Sequence, residues 1–229
     1  MLSPELIDKL EALRGAGQAA SGARACLPLG IVALDNHLGG GISCGAVTEI
    51  FGQSGQGAWW LALRALAGIK QKTCALVEPA GTFFPPGAAA LGVDLGRLLI
   101  VRESNRKQAL WALDRIAREK HIAATVAAIP NLKDTELRRL QLAAEASGQA
   151  LVLLRPPSEL SRASWGAMRL LVHAQPGSTR RLVVEVLRVR GAAMLRPMLL
   201  EFDDDAMDVR ISALLPHRAD HSGHAHRAG

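Results

Sequence analysis

The sequence has no tyrosine, and only four phenylalanines and four tryptophans among 229 residues. Interleaved aromatics that would stack on successive bases of a single strand are therefore not visible. Its three cysteines, Cys26, Cys44 and Cys74, are an odd number without metal-ligand spacing. That excludes a disulfide framework and a zinc cluster, and the three read as reduced thiols of a cytosolic protein. No apolar run reaches the roughly 18 residues of a membrane-spanning helix. The first residues, MLSPELIDKLEALRG, read as a charged amphipathic helix and not as a secretory leader.

What is present is ample for a core, since 49% of the residues are hydrophobic. The net charge is +6, and much of the excess lies in the second half, from Arg138 and Arg139 to Arg190 and Arg196. Glu201 with Asp203, Asp204 and Asp205 partly offsets it. Such a balance permits a nucleic-acid or acidic-protein partner without demanding one.

Ser3-Pro4-Glu5 is a helix start, and Leu6, Leu10 and Leu13 recur at helical spacing. The spacing predicts a docking helix over 1–15, followed by a Gly/Ala/Ser-rich flexible linker over 16–26. A single domain is predicted over 27–215. Short apolar strands at Ala46–Phe51, Cys74–Val77, Leu98–Arg102, Ile122–Ile129 and Ala150–Leu154 alternate with helices at Ala58–Gly68, Lys107–Lys120 and Thr135–Ser147. A shorter helix is predicted at Ile31–Leu38. That alternation implies a parallel sheet covered on both faces. After residue 165, strands at Ala167–Val172, Arg181–Val189 and Pro197–Phe202 imply antiparallel additions at one edge. Trp111 and Trp165 read as core aromatics, with Trp111 grouped with Leu110, Leu113 and Ile116 on an inward face. Residues 216–229 read as a polar, disordered tail, and its histidines His217, His221, His224 and His226 have nothing to fix them around a metal.

One stretch carries chemistry. FGQSGQGAWW follows an apolar strand and opens a helix, the setting of a phosphate-binding loop, G-x-x-x-x-G-K-[ST]. Gly52, Gly55 and Gly57 supply the turn, but Ala58 and Trp59 stand where Lys and Ser/Thr belong. One indole of Trp59 and Trp60 should enter the core, the other the old pocket. The chain between Glu119 and Asp134 has no acid to hold a metal at a neighbouring strand end, and Glu78 is the one acid at a plausible strand end. The residues thus predict a degenerate loop: no catalytic residue, no metal ligand set and no cofactor, hence no nucleotide hydrolysis.

The segment LPLGIVALDNHLGGGISCGAVTEIFG resembles the start of the RecA core, and CALVEPAGTFFPPGAAALGVDLGRLLI is similar to its next part. Where RecA-type recombinases place a catalytic Glu, this chain has Ala80. QALWALDRIAREKHIAATVAAIP followed by LRRLQLAAEASGQALVLLRP resembles the ImuA family of the bacterial SOS response, a pattern shared with the division inhibitor SulA. The resemblance implies an α/β fold with a RecA-like core, its sheet mostly parallel and flanked by helices with antiparallel C-terminal strands, plus an N-terminal helix. It implies a non-catalytic accessory role in translesion DNA synthesis, in the cytoplasm at the nucleoid. The implied partners are ImuB, RecA and, indirectly, an error-prone C-family DNA polymerase. Leu6, Leu10 and Leu13 would anchor a RecA-type arm on a partner; the alternative is a helix folded back on its own domain. Residues 155–168 stand in the place of RecA's DNA-binding loops, so Arg155, Arg162 and Arg169 are candidates for weak phosphate contact. An ATP-dependent recombinase and a SulA-like inhibitor of FtsZ remain as alternatives.

Overall fold

The computed structural model describes residues 25–190, 195–203 and 208–216. The expected docking helix with Leu6, Leu10 and Leu13, most of the linker and the His-rich tail after Pro216 lie outside the described residues.

A nine-stranded sheet dominates. Its strands are β3 (Ala46–Phe51), β4 (Thr73–Val77), β5 (Leu98–Val101), β6 (Ile122–Ala127), β7 (Ala150–Arg155), β8 (Met168–Gln175), β9 (Arg181–Val189), β10 (Met198–Asp203) and β11 (Asp208–Leu214). They run in the order β11-β10-β9-β8-β3-β7-β6-β4-β5. From β8 to β5 the pairing is parallel, and from β8 outward to β11 it is antiparallel, as the sequence implied. β3 and β7 are buried along their whole length, which is why AVTEIF and ALVLLR read as apolar runs without clean alternation. Ala150, Val152 and Leu154 of β7 enter the core on one face, and Leu151 and Leu153 enter it on the other.

The first face is covered by α1 (Val32–His37), α2 (Ala58–Ala67) and α3 (Pro85–Ala90), the second by α4 (Arg106–Ile116) and α5 (Asp134–Ser147). A two-residue pair, β1 (Cys26–Leu27) with β2 (Ile42–Ser43), lies apart from the sheet. Cys26, expected in the linker, is thus already in a strand.

α4 ends four residues earlier than expected, and its inward stripe is Ala109, Leu110, Leu113 and Ile116. Trp111 falls off that stripe by the 3.6-residue period and is 64% exposed. Trp165 is 43% exposed. The expectation that both are core aromatics is corrected. α5 starts one residue earlier than expected, with Lys133 as its cap and Asp134 as its first helical residue. Glu136 closes that start: its carboxylate accepts the Lys133 N–H at 2.8 Å and the Arg106 guanidinium of α4 at 2.8 Å. Burial pushes the Glu136 carboxyl up, but the Arg106 and Lys133 hydrogen bonds outweigh it and hold the group below the ordinary glutamate value. A carboxylate with a depressed folded-state pKa stabilises above its unfolded pKa and loses that contribution as pH falls through the folded value. Glu136→Gln is expected to cost about 1–2 kcal/mol at neutral pH. Its urea midpoint should converge on the wild type's as pH falls from the ordinary glutamate range through the lower folded value.

Candidate functional site

β3 ends at Phe51, the glycine loop follows, and α2 begins at Ala58, so the loop lies at the carboxyl ends of β3 and its neighbours. In an open α/β sheet that edge is where ligands bind. The loop is held from several sides. The Gly52 N–H donates to the Arg155 carbonyl at 3.1 Å, and the Ala174 N–H of β8 donates to Gln56 Oε1 at 3.0 Å. Gly57 has φ 96°, and a Cβ there would sit 2.5 Å from Leu182 Cδ2. Gly52 has the same constraint, since a Cβ would meet Ala58 Cβ at 2.8 Å and the Val172 carbonyl at 2.9 Å. Gly55 has φ 77° but open space around it.

Beside the loop is a cleft of about 190 Å³ whose walls include Gly52, Ser54, Ala58, Trp59, Pro130 and Arg155. Trp59 lines it, with its ring 6.4 Å from Phe83, while Trp60 packs edge-on against Phe202 at 4.8 Å. Both indoles are half-buried against the same core, and Trp59 also lines the cleft, so the expected division of the pair is not a clean one. Glu78 follows the end of β4 but does not line the cleft. Its buried carboxylate accepts the Thr82 N–H and the Thr82 hydroxyl, each at 3.0 Å, and the Phe83 N–H at 3.4 Å.

The largest departure from sequence reasoning is a buried ion network at the same edge. Arg155, 1% exposed at its side chain, pairs with Glu49 of β3 and with Glu159. Glu49 also accepts the Ser164 hydroxyl and lies 3.3 Å from Arg169 Nε. Glu159 accepts the Asn131 N–H at 2.9 Å, and Arg169 donates to the Leu160 carbonyl at 2.9 Å. Both guanidinium groups lie over the Phe51 ring, at 5.5 Å and 4.8 Å. Burial, and Arg155 and Arg188 nearby, hold the Arg169 pKa below its ordinary value against the pull of Glu49.

The reading of Arg155 and Arg169 as phosphate contacts is therefore corrected: both are turned inward and paired. Arg162 is exposed, with its guanidinium 3.3 Å from Asn131 Oδ1. Within residues 155–168, expected in the place of DNA-binding loops, is a short turn, Pro157–Glu159, and Glu159 and Ser164 tie the segment to this network. A glutamate in the middle of AVTEIF was the available signal, because a charge in a buried strand needs a partner. Burial pushes the Cys74 thiol up to about 11 and holds the Cys44 thiol above its ordinary value, so neither is an activated nucleophile.

The RecA N-terminal domain pattern matches residues 11–135, which include the glycine loop. The chain belongs to the RecA N-terminal domain family. Protein RecA of Picosynechococcus sp. is 34% identical over 104 residues, covering 44% of this chain and 30% of that protein. The chloroplastic DNA repair protein recA homolog 1 of Arabidopsis thaliana is 38% identical over 91 residues, covering 39% of this chain and 21% of that protein. Protein RecA of Arthrospira platensis is 41% identical over 92 residues, covering 39% of this chain and 25% of that protein. The chain thus spans less than a third of the length of these relatives. The crystal structure of the RadB recombinase superposes with a TM-score of 0.64 at 18% identity, over 77% of this chain and 96% of that one. That likeness establishes the RecA/RadB-like α/β fold. No helix among the described residues of this RecA-family chain is long and apolar enough to cross a membrane.

Proposed function

We propose that this RecA-family chain is a non-hydrolysing accessory protein of SOS-induced, error-prone translesion synthesis. It acts at the nucleoid as an adaptor that binds ImuB, through it an error-prone C-family polymerase, and also RecA. The observation that carries the reading is Ala58 and Trp59 at the end of the glycine loop, with the Trp59 indole lining the cleft near Phe83.

The residues present do not fit a magnesium triphosphate. The loop offers backbone amides, but the lysine that would neutralise phosphate and the hydroxyl that would hold the metal are replaced. Arg155 is tied to Glu49 and Glu159, and Glu78 to Thr82 and Phe83. Uncompensated negative charge in a partly dry cleft costs several kcal/mol. A scaffold of this kind has its surfaces for partners. The likeness of the Leu110-Trp111 helix and LRRLQLAAE to ImuA supports the choice of partners.

Calorimetry with magnesium ATP tests it. The wild type is expected to give no binding heat, and Ala58→Lys with Trp59→Thr to regain binding. Micromolar binding by the wild type would mean that the loop amides hold nucleotide without a lysine, and release of phosphate from that complex would overturn the non-hydrolysing reading and bring the ATP-dependent recombinase forward. A pull-down with ImuB and RecA against FtsZ decides the rest: capture of FtsZ alone makes the protein a division inhibitor.

A further inference from the structure

The two segments that carry the narrower resemblance become α4 and α5. Their inward residues Leu110, Leu113, Leu137 and Leu140 are explained by packing on the sheet. Their outward residues are not. Trp111 is 64% exposed, Leu142 56%, and Trp165, lying against α5, 43%. Single exposed apolar side chains need no explanation, but linked ones mark an interaction surface.

Arginines and carboxylates of the two helices surround the two indoles. The Arg115 guanidinium lies over the Trp111 ring at 5.6 Å. Asp114, next to it, pairs with Arg118 at 3.2 Å and crosses to Arg139 of α5 at 2.9 Å. Arg138 lies over the Trp165 ring at 4.8 Å. Arg190 donates to the Trp165 carbonyl at 3.3 Å and reaches Glu145 at 3.9 Å. Leu142 shares the helix face of Arg138, Arg139 and Glu145, one turn from each.

We infer that the outer α4–α5 face, from Trp111 across Leu142 to Trp165, docks an acidic amphipathic segment of a protein partner. Tryptophan and arginine are the residue types most enriched where protein–protein binding energy concentrates. Arg115, Arg118, Arg138 and Arg139 outnumber Asp114 and Glu145 on this face, so the complementary surface is acidic. Apolar side chains of the partner would cover Trp111 and Leu142 while its carboxylates meet the arginines. A nucleic acid fits less well. Each indole already carries a guanidinium on one face, Leu142 offers no stacking, and two carboxylates on the face repel phosphate.

The inference deepens the adaptor reading and rests on it for its role, but its test does not. A display library of random helical peptides is panned against the full-length chain. The recovered peptides are expected to combine Asp/Glu with Leu, Ile or Phe at helical spacing. Their affinity should fall at least tenfold in Trp111→Ala, in Leu142→Ala and in Arg138→Glu, each with an unchanged melting temperature. Recovery of no such peptides, or of peptides indifferent to these substitutions, overturns the inference. So does an oligo(dT) strand whose binding is lost in the same three variants, which would make the face a nucleic-acid surface. If peptides dock here while ImuB and RecA do not bind the chain, the surface stands and the adaptor role falls. If those partners bind all three variants as they bind the wild type, the role stands and this surface falls.

Discussion

Arg155→Met is expected to destabilise the domain by about 3–5 kcal/mol, because it leaves buried Glu159 without a cation and buried Glu49 with Arg169 alone. The side chains of Arg155, Glu49 and Glu159 are 1%, 0% and 4% exposed. Arg169 approaches only Glu49, so Glu159 would keep just the Asn131 N–H. A loss of that size is a large share of the roughly 5–15 kcal/mol that holds a domain folded. In a domain of this length it lowers the melting temperature by about 6–20 °C. Urea unfolding of the wild type, Arg155→Met, Glu49→Gln and the double variant measures it. The double variant should be more stable than the sum of the singles by about 1–3 kcal/mol, since removing Glu49's charge removes part of what Arg155 was compensating. A cost under about 1 kcal/mol for Arg155→Met would mean that the network is solvated and that Arg155 is available to phosphate after all.

The parallel half of the sheet was legible because β3, β6 and β7 are buried on both faces and appear as largely apolar runs bounded by turn residues, with Thr48 and Glu49 the polar interruption in β3. The glycine loop was legible because its position between strand and helix is a local property. What escaped was non-local. Glu49 and Arg155 are 106 residues apart in sequence and meet through the β3–β7 register, which sets Phe51 opposite Arg155. No spacing along the chain announces such a pair, and the arginine instead looked like one more exposed cation. Trp111 was misread for a local reason. Size and hydrophobicity suggested burial, while the helical period around Leu110 and Leu113 turns it outward. The two-residue strands β1 and β2 and the six-residue α3 carried too few periodic residues to stand out, and PPGAAA is a poor helix by propensity alone; β11, DVRISAL, does alternate and was passed over.

Gly57→Ala is expected to cost about 2–4 kcal/mol, and the comparison with Gly55→Ala decides why the loop keeps its glycines. At φ 96° any side chain strains the backbone, and the new Cβ would lie 2.5 Å and 2.6 Å from the two methyl carbons of Leu182. Leu182 cannot back away: it is 5% exposed, in a strand paired on both sides by β8 and β10. Gly55 has a left-handed φ of 77° but no atom within 4 Å, so Gly55→Ala carries the strain alone, about 1 kcal/mol. Measured by urea unfolding without any nucleotide, a clear gap between the two variants assigns Gly57 to packing of the loop against β9. Leu182→Ala added to Gly57→Ala should then be less harmful than the two losses summed, because the methyl group occupies part of the space that leucine vacates. Under this account, glycines at the spacing of a phosphate loop persist with no phosphate to hold, since the fold itself needs them. Equal, small costs for Gly55→Ala and Gly57→Ala would remove that explanation. The glycine at 57 would then be accounted for by close approach of a ligand to the backbone, and the loop would again be read as a working anion site.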